Sequence, residues 1–134
     1  MALIVHKYGG TSMGSTERIA LVAKRVAKWA RAGHKMVVVP CAMSGETNRL
    51  LALAKELAPA KPGDAYNREL DMLASTGEQA SSALLAIALQ AEGLEAVSYA
   101  GWQVAIKTNS AHTKARIESI DDKKVRADLD AGRV

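Results

Sequence analysis

The sequence predicts an α/β fold built on a largely parallel sheet. Three observations lead there: short aliphatic runs at Leu3-Ile4-Val5 and Met36-Val37-Val38-Val39, helical periodicity after each of them, and a composition suited to helix-on-sheet packing. Hydrophobic residues make up 49% of the 134, yet aromatics are only 4% and Phe is absent, so Ala, Leu, Ile and Val must build the core. That length suits a single domain with a core of its own.

The first run is β-branched and is followed by Gly9-Gly10, which reads as a buried strand ending in a tight turn. Ile19, Val22, Ala23, Val26, Ala27 and Ala30 then recur at three- and four-residue intervals. Glu17 stands in the first turn of that helix, Arg31 in its last, and Gly33 supplies the stop. The second strand, Met36 to Val39, ends at Pro40 and a small-residue turn through Ser44-Gly45. Leu50, Leu51, Leu53, Ala54 and Leu57 mark a second helix, closed by Pro59 and Pro62.

Tyr66 to Leu73 is predicted helical. A further helix over Gln79 to Glu92 presents Ala80, Ala83, Leu84, Ile87, Ala88 and Ala91 on one face before Gly93. Leu94 to Tyr99 reads as a third strand, Val104 to Thr108 as a short one, and Asp121 to Ala131 as a charged helix. Strand and helix in alternation imply right-handed crossovers and a binding crevice at the carboxyl ends of the strands. Gly132-Arg133-Val134 reads as a helix stop followed by the start of another strand. The polypeptide is therefore expected to continue, because a parallel sheet lacking its next strand leaves an apolar edge unpaired.

Composition narrows the function. The formal charge is +4, but 18 basic residues are interspersed with 14 acidic ones and form no polybasic stripe. Two Trp and three Tyr, not clustered beside Lys or Arg, offer no stacking platform, so nucleic acid is not an expected partner. One cysteine, Cys41, cannot form an internal disulfide, and no Cys/His spacing suggests zinc. The apolar start is broken by His6 and Lys7, too short for a leader or a membrane span, so a cytoplasmic setting with no membrane partner is expected.

Lys7-Tyr8-Gly9-Gly10-Thr11-Ser12 falls where the first strand hands over to the first helix. Backbone N–H groups and a positive helix end would converge there on a phosphate, with Lys7 as a mobile counter-charge and Thr11 and Ser12 as hydroxyl donors. The glycines match neither G-x-G-x-x-G nor a Walker A loop, since Ser15 stands where that loop needs Lys. Taken alone, Gly-Gly is equally a plain tight turn with Lys7 solvated beside it.

Three motifs in order resemble those of aspartate kinases in the amino acid kinase family: Lys7-Tyr8-Gly9-Gly10-Thr11-Ser12, Ala42-Met43-Ser44-Gly45-Glu46-Thr47-Asn48 and Ser75-Thr76-Gly77-Glu78. The resemblance runs from residue 1 to 134 and takes in Gly101-Trp102-Gln103 and Thr113-Lys114-Ala115-Arg116-Ile117. It implies a three-layer αβα sandwich and transfer of the γ-phosphate of ATP, with Mg²⁺, to the β-carboxylate of L-aspartate. That reaction opens lysine, threonine and methionine synthesis.

By the same resemblance, Lys7, Tyr8, Gly9, Gly10 and Ser12 handle the phosphates, with Lys7 catalytic. Thr47 hydrogen-bonds L-aspartate and Glu78, as a buried carboxylate, receives its ammonium group. Both have plainer readings: Thr47 as a helix cap, and Ser75-x-x-Glu78 as a capping box. Cys41 stands where Ser is common and Asn109 where Asp is expected.

The family's later Arg for the substrate carboxylate, its adenine pocket and its C-terminal ACT domains would lie beyond Val134, so residues 1–134 are expected to form the N-terminal portion of the kinase domain. The full-length enzyme is expected to be a homo-oligomer. The alternatives are a kinase for glutamate or another small acid, and a non-catalytic truncated chain. A hydroxamate assay with ATP and L-aspartate on these 134 residues alone is expected to show little or no turnover; a rate near that of an ordinary kinase would overturn this division of the site.

Overall fold

The computed structural model describes residues 1–59 and 63–134. The chain runs β1 (Leu3–Tyr8), α1 (Thr16–Arg31), β2 (Lys35–Pro40), α2 (Glu46–Leu57), α3 (Asp64–Ala91), β3 (Ile106–Thr108), β4 (Ile117–Ile120) and α4 (Lys123–Asp130). Pro62, expected to help close α2, lies outside the described residues.

β1 and β2 pair in parallel from Leu3 opposite Lys35 to Tyr8 opposite Pro40, with α1 as the crossover. Strand alternation sends Ile4, Tyr8, Met36 and Val38 to one face, where they meet Ile19, Val22, Ala23 and Val26 of α1 and Leu85 and Leu89 of α3. Leu3, Val5 and Val39 point the other way and are about half exposed. The α/β class and the parallel sheet thus stand, while the described residues cover that sheet with helices chiefly on one face. Glu17 stands in the first turn of α1 and Arg31 in the last, as expected, and the structure adds an N-cap at Ser15, whose Oγ accepts from the Arg18 amide.

Three expectations change. Tyr66–Leu73 and Gln79–Glu92 are not separate helices but parts of one 28-residue helix, α3, which runs unbroken through Ser75-Thr76-Gly77-Glu78. Its buried line is Gly77, Ser81, Leu85 and Leu89, whereas Leu84 and Ile87 of the predicted face are exposed. In a helix so rich in Ala, Leu and Ile, periodicity alone does not select the face; the positions of α1 and β2 do.

Leu94 to Tyr99 does not join the sheet. A cavity of about 550 Å³ separates residues 36–40 of β2 from 96–101, and strands must approach to about 4.8 Å to pair. The segment bonds instead to the chain's end: the Val97 amide donates to the Val134 carbonyl, and the Val134 amide to Glu95, the pattern of a parallel pair. Last, the short strand near Val104–Thr108 is observed as Ile106–Thr108, and it has an unforeseen antiparallel partner in β4.

Leu85→Ala is expected to cost about 2–5 kcal/mol in chemical denaturation, because it empties a site sealed between α1 and β2. Ile87→Ala, one of the predicted core positions, should cost less than about 1 kcal/mol; equal losses would contradict the observed helix orientation.

Candidate functional site

Beyond the carboxyl ends of β1 and β2 lies a cleft of about 420 Å³, lined by Gly10, Thr11, Cys41, Ala42, Met43, Ser44, Gly45, Thr47, Asn48 and Glu78. All three sequence motifs contribute to it. Their meeting point is the extended stretch after β2: the Cys41 amide donates to the Tyr8 carbonyl at 2.8 Å, and the Cys41 carbonyl accepts from Ser81 Oγ at 2.7 Å. One peptide segment therefore ties the strand that feeds the glycine loop to the helix that carries Glu78.

The glycine loop is anchored by Met13, which is fully buried and whose amide donates to the carbonyls of Gly9 and Gly10. The amides of Gly9, Gly10, Thr11 and Ser12 donate to no acceptor among the described residues. Four unpaired donors in a turn can hold an anion. A Cβ at Gly10 would come within 3.3 Å of the Ala42 carbonyl oxygen, a tight contact that glycine avoids where the loop approaches the second motif.

The helix end itself is less available than the sequence suggests. α1 starts at Thr16, past the loop, and its N-terminus is served by Glu17, whose carboxyl is held below the usual range by its own backbone amide and then by Ser15. The unpaired donors here are the loop amides rather than the helix end.

Neither plain alternative for Thr47 and Glu78 describes the structure. The N-cap of α2 is Gly45, in the left-handed region at φ +80°, with no side-chain cap. Thr47 is the second residue of α2, half-buried, and its hydroxyl has no hydrogen bond among the described residues. Ser75 cannot cap a helix it sits inside; its Oγ donates to the Met72 carbonyl, and Glu78 is free of any such box.

The same geometry revises the expected burial of Glu78, which is exposed at the cleft's lip and forms no ion pair among the described residues. Glu46, the other carboxylate nearby, is occupied: Arg49 donates to both its oxygens at 2.9 and 2.7 Å and draws its pKa down. Glu78 is left as the carboxylate facing the cleft.

The cleft does not gather every predicted residue. Lys7, Tyr8, Gly9 and Ser12 are outside its lining. Lys7, the last residue but one of β1, is exposed and lies beside Val39, without an ion pair among the described residues. Tyr8 turns inward; its hydroxyl lies 3.1 Å from His6 Nδ1, and burial pushes its pKa up. Asn109 has a structural task, its Oδ1 accepting from the amides of Ala111 and Arg116 in the turn between β3 and β4.

Sequence reasoning missed Asn48, Ser81 and the packing role of Gly77. A signal existed for the last: glycine inside a helix costs about 1 kcal/mol against alanine and so calls for a packing reason. Here a Cβ at Gly77 would sit 3.0 Å from the Ala42 Cβ.

A parallel strand pair with a glycine loop and Glu78 of α3 at its carboxyl end defines an α/β protein with a crevice where such folds bind ligands. Residues 2–134 match the Amino acid kinase family, and the chain belongs to that family. It is 60% identical over 136 residues to an aspartate kinase of Pseudomonas fluorescens (strain SBW25), covering 100% of this chain and 32% of that protein. An aspartokinase of Pseudomonas aeruginosa is 58% identical over 134 residues, with the same coverage. The crystal structure of aspartate kinase from Synechocystis superposes with a TM-score of 0.76 at 37% identity, over 98% of this chain and 20% of that one. The chain thus spans about a third of the length of the curated relatives it matches.

Gly77→Val is expected to destabilise the chain by about 1–3 kcal/mol in urea denaturation, because a Cβ there would already sit 3.0 Å from the Ala42 Cβ. A neutral result would show that α3 does not press on the Cys41–Ala42 segment.

Proposed function

We propose that this chain is the N-terminal, amino-acid-binding portion of an aspartate kinase, acting with ATP on the β-carboxylate of L-aspartate. The observation that carries the proposal is the convergence of Gly10, Thr11, Thr47 and Glu78 on one cleft, in a chain 60% identical to an aspartate kinase. The adenine pocket, the Arg for the substrate carboxylate and the ACT domains are assigned to the parts of the relatives that this chain does not span. A cytoplasmic setting and a homo-oligomeric full-length enzyme belong to the same proposal; no described helix is long and apolar enough to cross a membrane.

The division of labour follows from charge. Glu78 takes the ammonium group of L-aspartate and the Thr47 hydroxyl hydrogen-bonds the same molecule, which leaves the β-carboxylate to face the glycine loop. That carboxylate is already ionised at neutral pH, so no general base is needed. One of its oxygens attacks the γ-phosphorus, the bond from that phosphorus to the bridging oxygen breaks, and ADP leaves with the oxygen and its electron pair. The products are 4-phospho-L-aspartate and ADP.

Negative charge spreads over the transferring group, where the amides of Gly9, Gly10, Thr11 and Ser12 and the ammonium of Lys7 oppose it. Tyr8 contributes its position, since its hydroxyl and carbonyl are engaged elsewhere. Among the described residues no group of three or more His, Cys, Asp or Glu could hold a metal. Mg²⁺ would accompany the nucleotide's phosphates.

The test joins residues 1–134 in frame to the C-terminal two thirds of the Pseudomonas fluorescens relative. ATP- and L-aspartate-dependent hydroxamate formation is expected. Lys7→Met should lower kcat by about 10²–10³ with little change in the KM for L-aspartate. Glu78→Gln should raise that KM about 10- to 100-fold. Turnover with L-glutamate in preference to L-aspartate would sink the substrate assignment.

A further inference from the structure

We propose that Ser81 is a positioning residue for the amino-acid end of the cleft, setting the gap between Glu78 and Thr47 without touching either substrate. The inference rests on the kinase reading above, because the gap matters only if the cleft holds an amino acid. Ser81 is fully buried, the one polar side chain so classed in the core of the described residues. A hydroxyl taken from water into such a site is unfavourable unless it finds an acceptor. The near acceptor within its own helix, the Glu78 carbonyl, is 3.2 Å away, whereas the Cys41 carbonyl is at 2.7 Å. A hydroxyl has one proton, and the shorter bond is the one that leaves the helix.

The placement gives that bond leverage. Ser81 follows Glu78 by three residues, less than one helical turn, and Cys41 precedes by four the Gly45 that starts α2 and delivers Thr47. Gly77, just before Glu78, lets Ala42 approach to the contact limit from the same side. Between them, a close contact and a hydrogen bond hold the two walls of the cleft at one separation. The glycine loop has ties that do not use the Ser81 hydroxyl: the Met13 amide on the Gly9 and Gly10 carbonyls, and the Cys41 amide on the Tyr8 carbonyl. Loss of the Ser81 hydroxyl should therefore loosen the amino-acid side and spare the phosphate side.

Steady-state kinetics of the same joined enzyme test this. Ser81→Ala is expected to raise the KM for L-aspartate about tenfold and to narrow the preference for L-aspartate over L-glutamate, with the KM for ATP within about twofold of the parent. Ser81→Cys, similar in size with a weaker donor, should fall between, and it serves if the alanine variant does not fold. An unchanged KM for L-aspartate in the folded variants, or equal rises for both substrates, overturns the role of Ser81 and leaves the kinase reading intact. A soluble parent without L-aspartate-dependent turnover instead overturns the kinase reading, and this inference with it.

Discussion

The site depends on the short extended stretch Cys41-Ala42, where three parts of the chain are held within contact distance of one another. The Cys41 amide bonds the end of β1, its carbonyl bonds α3 through Ser81, and Ala42 sits against both Gly10 and Gly77. None of these links is strong alone. Together they satisfy the Cys41 amide and carbonyl where the chain leaves the sheet, groups that would otherwise go unpaired in a packed region. The Cys41 side chain itself takes no part in them, which suits a position where the backbone does the holding.

α3 reaches both the core and the cleft because side-chain size changes along one of its lines. Leu85 and Leu89 are large and press into α1 and the sheet; Ser81 and Gly77 are small and let the stretch after β2 come close. The helix is thus wedge-like in cross-section, core-forming at one end and site-forming at the other. Ion pairs contribute little to this frame, since those observed are on the surface. Among the described residues, the cleft keeps one carboxylate without an ion pair, Glu78, and the loop a set of unpaired amides.

Much of the frame was legible in the residues. β1, α1 and β2 are written by short β-branched runs, a clean 3.6-residue period and matching caps, all local signals. α3 reads as two helices when only neighbours along the chain are considered, because Ser75-x-x-Glu78 has the form of a capping box between the two periodic stretches. The third strand was misread because Leu94 to Tyr99 has strand composition, yet pairing requires a partner alongside, and here the cavity beside β2 stands in between. Lys7 lies one residue before the end of β1, and strand alternation sends it to the exposed face, outside the lining of the cleft.

By itself the sequence determined the class of fold, the first crossover, the glycine loop and the ordered motifs that place the chain in its family, because each is encoded within a few residues or one helical period. Only the tertiary structure decided that Thr47 and Glu78 face a shared cleft rather than capping helices, that the loop amides and not the start of α1 are free for an anion, and that Ser81 faces Cys41. Those outcomes depend on contacts between residues some 30 to 70 positions apart, fixed by which faces α1 and α3 bury and by how closely glycine lets two backbones approach.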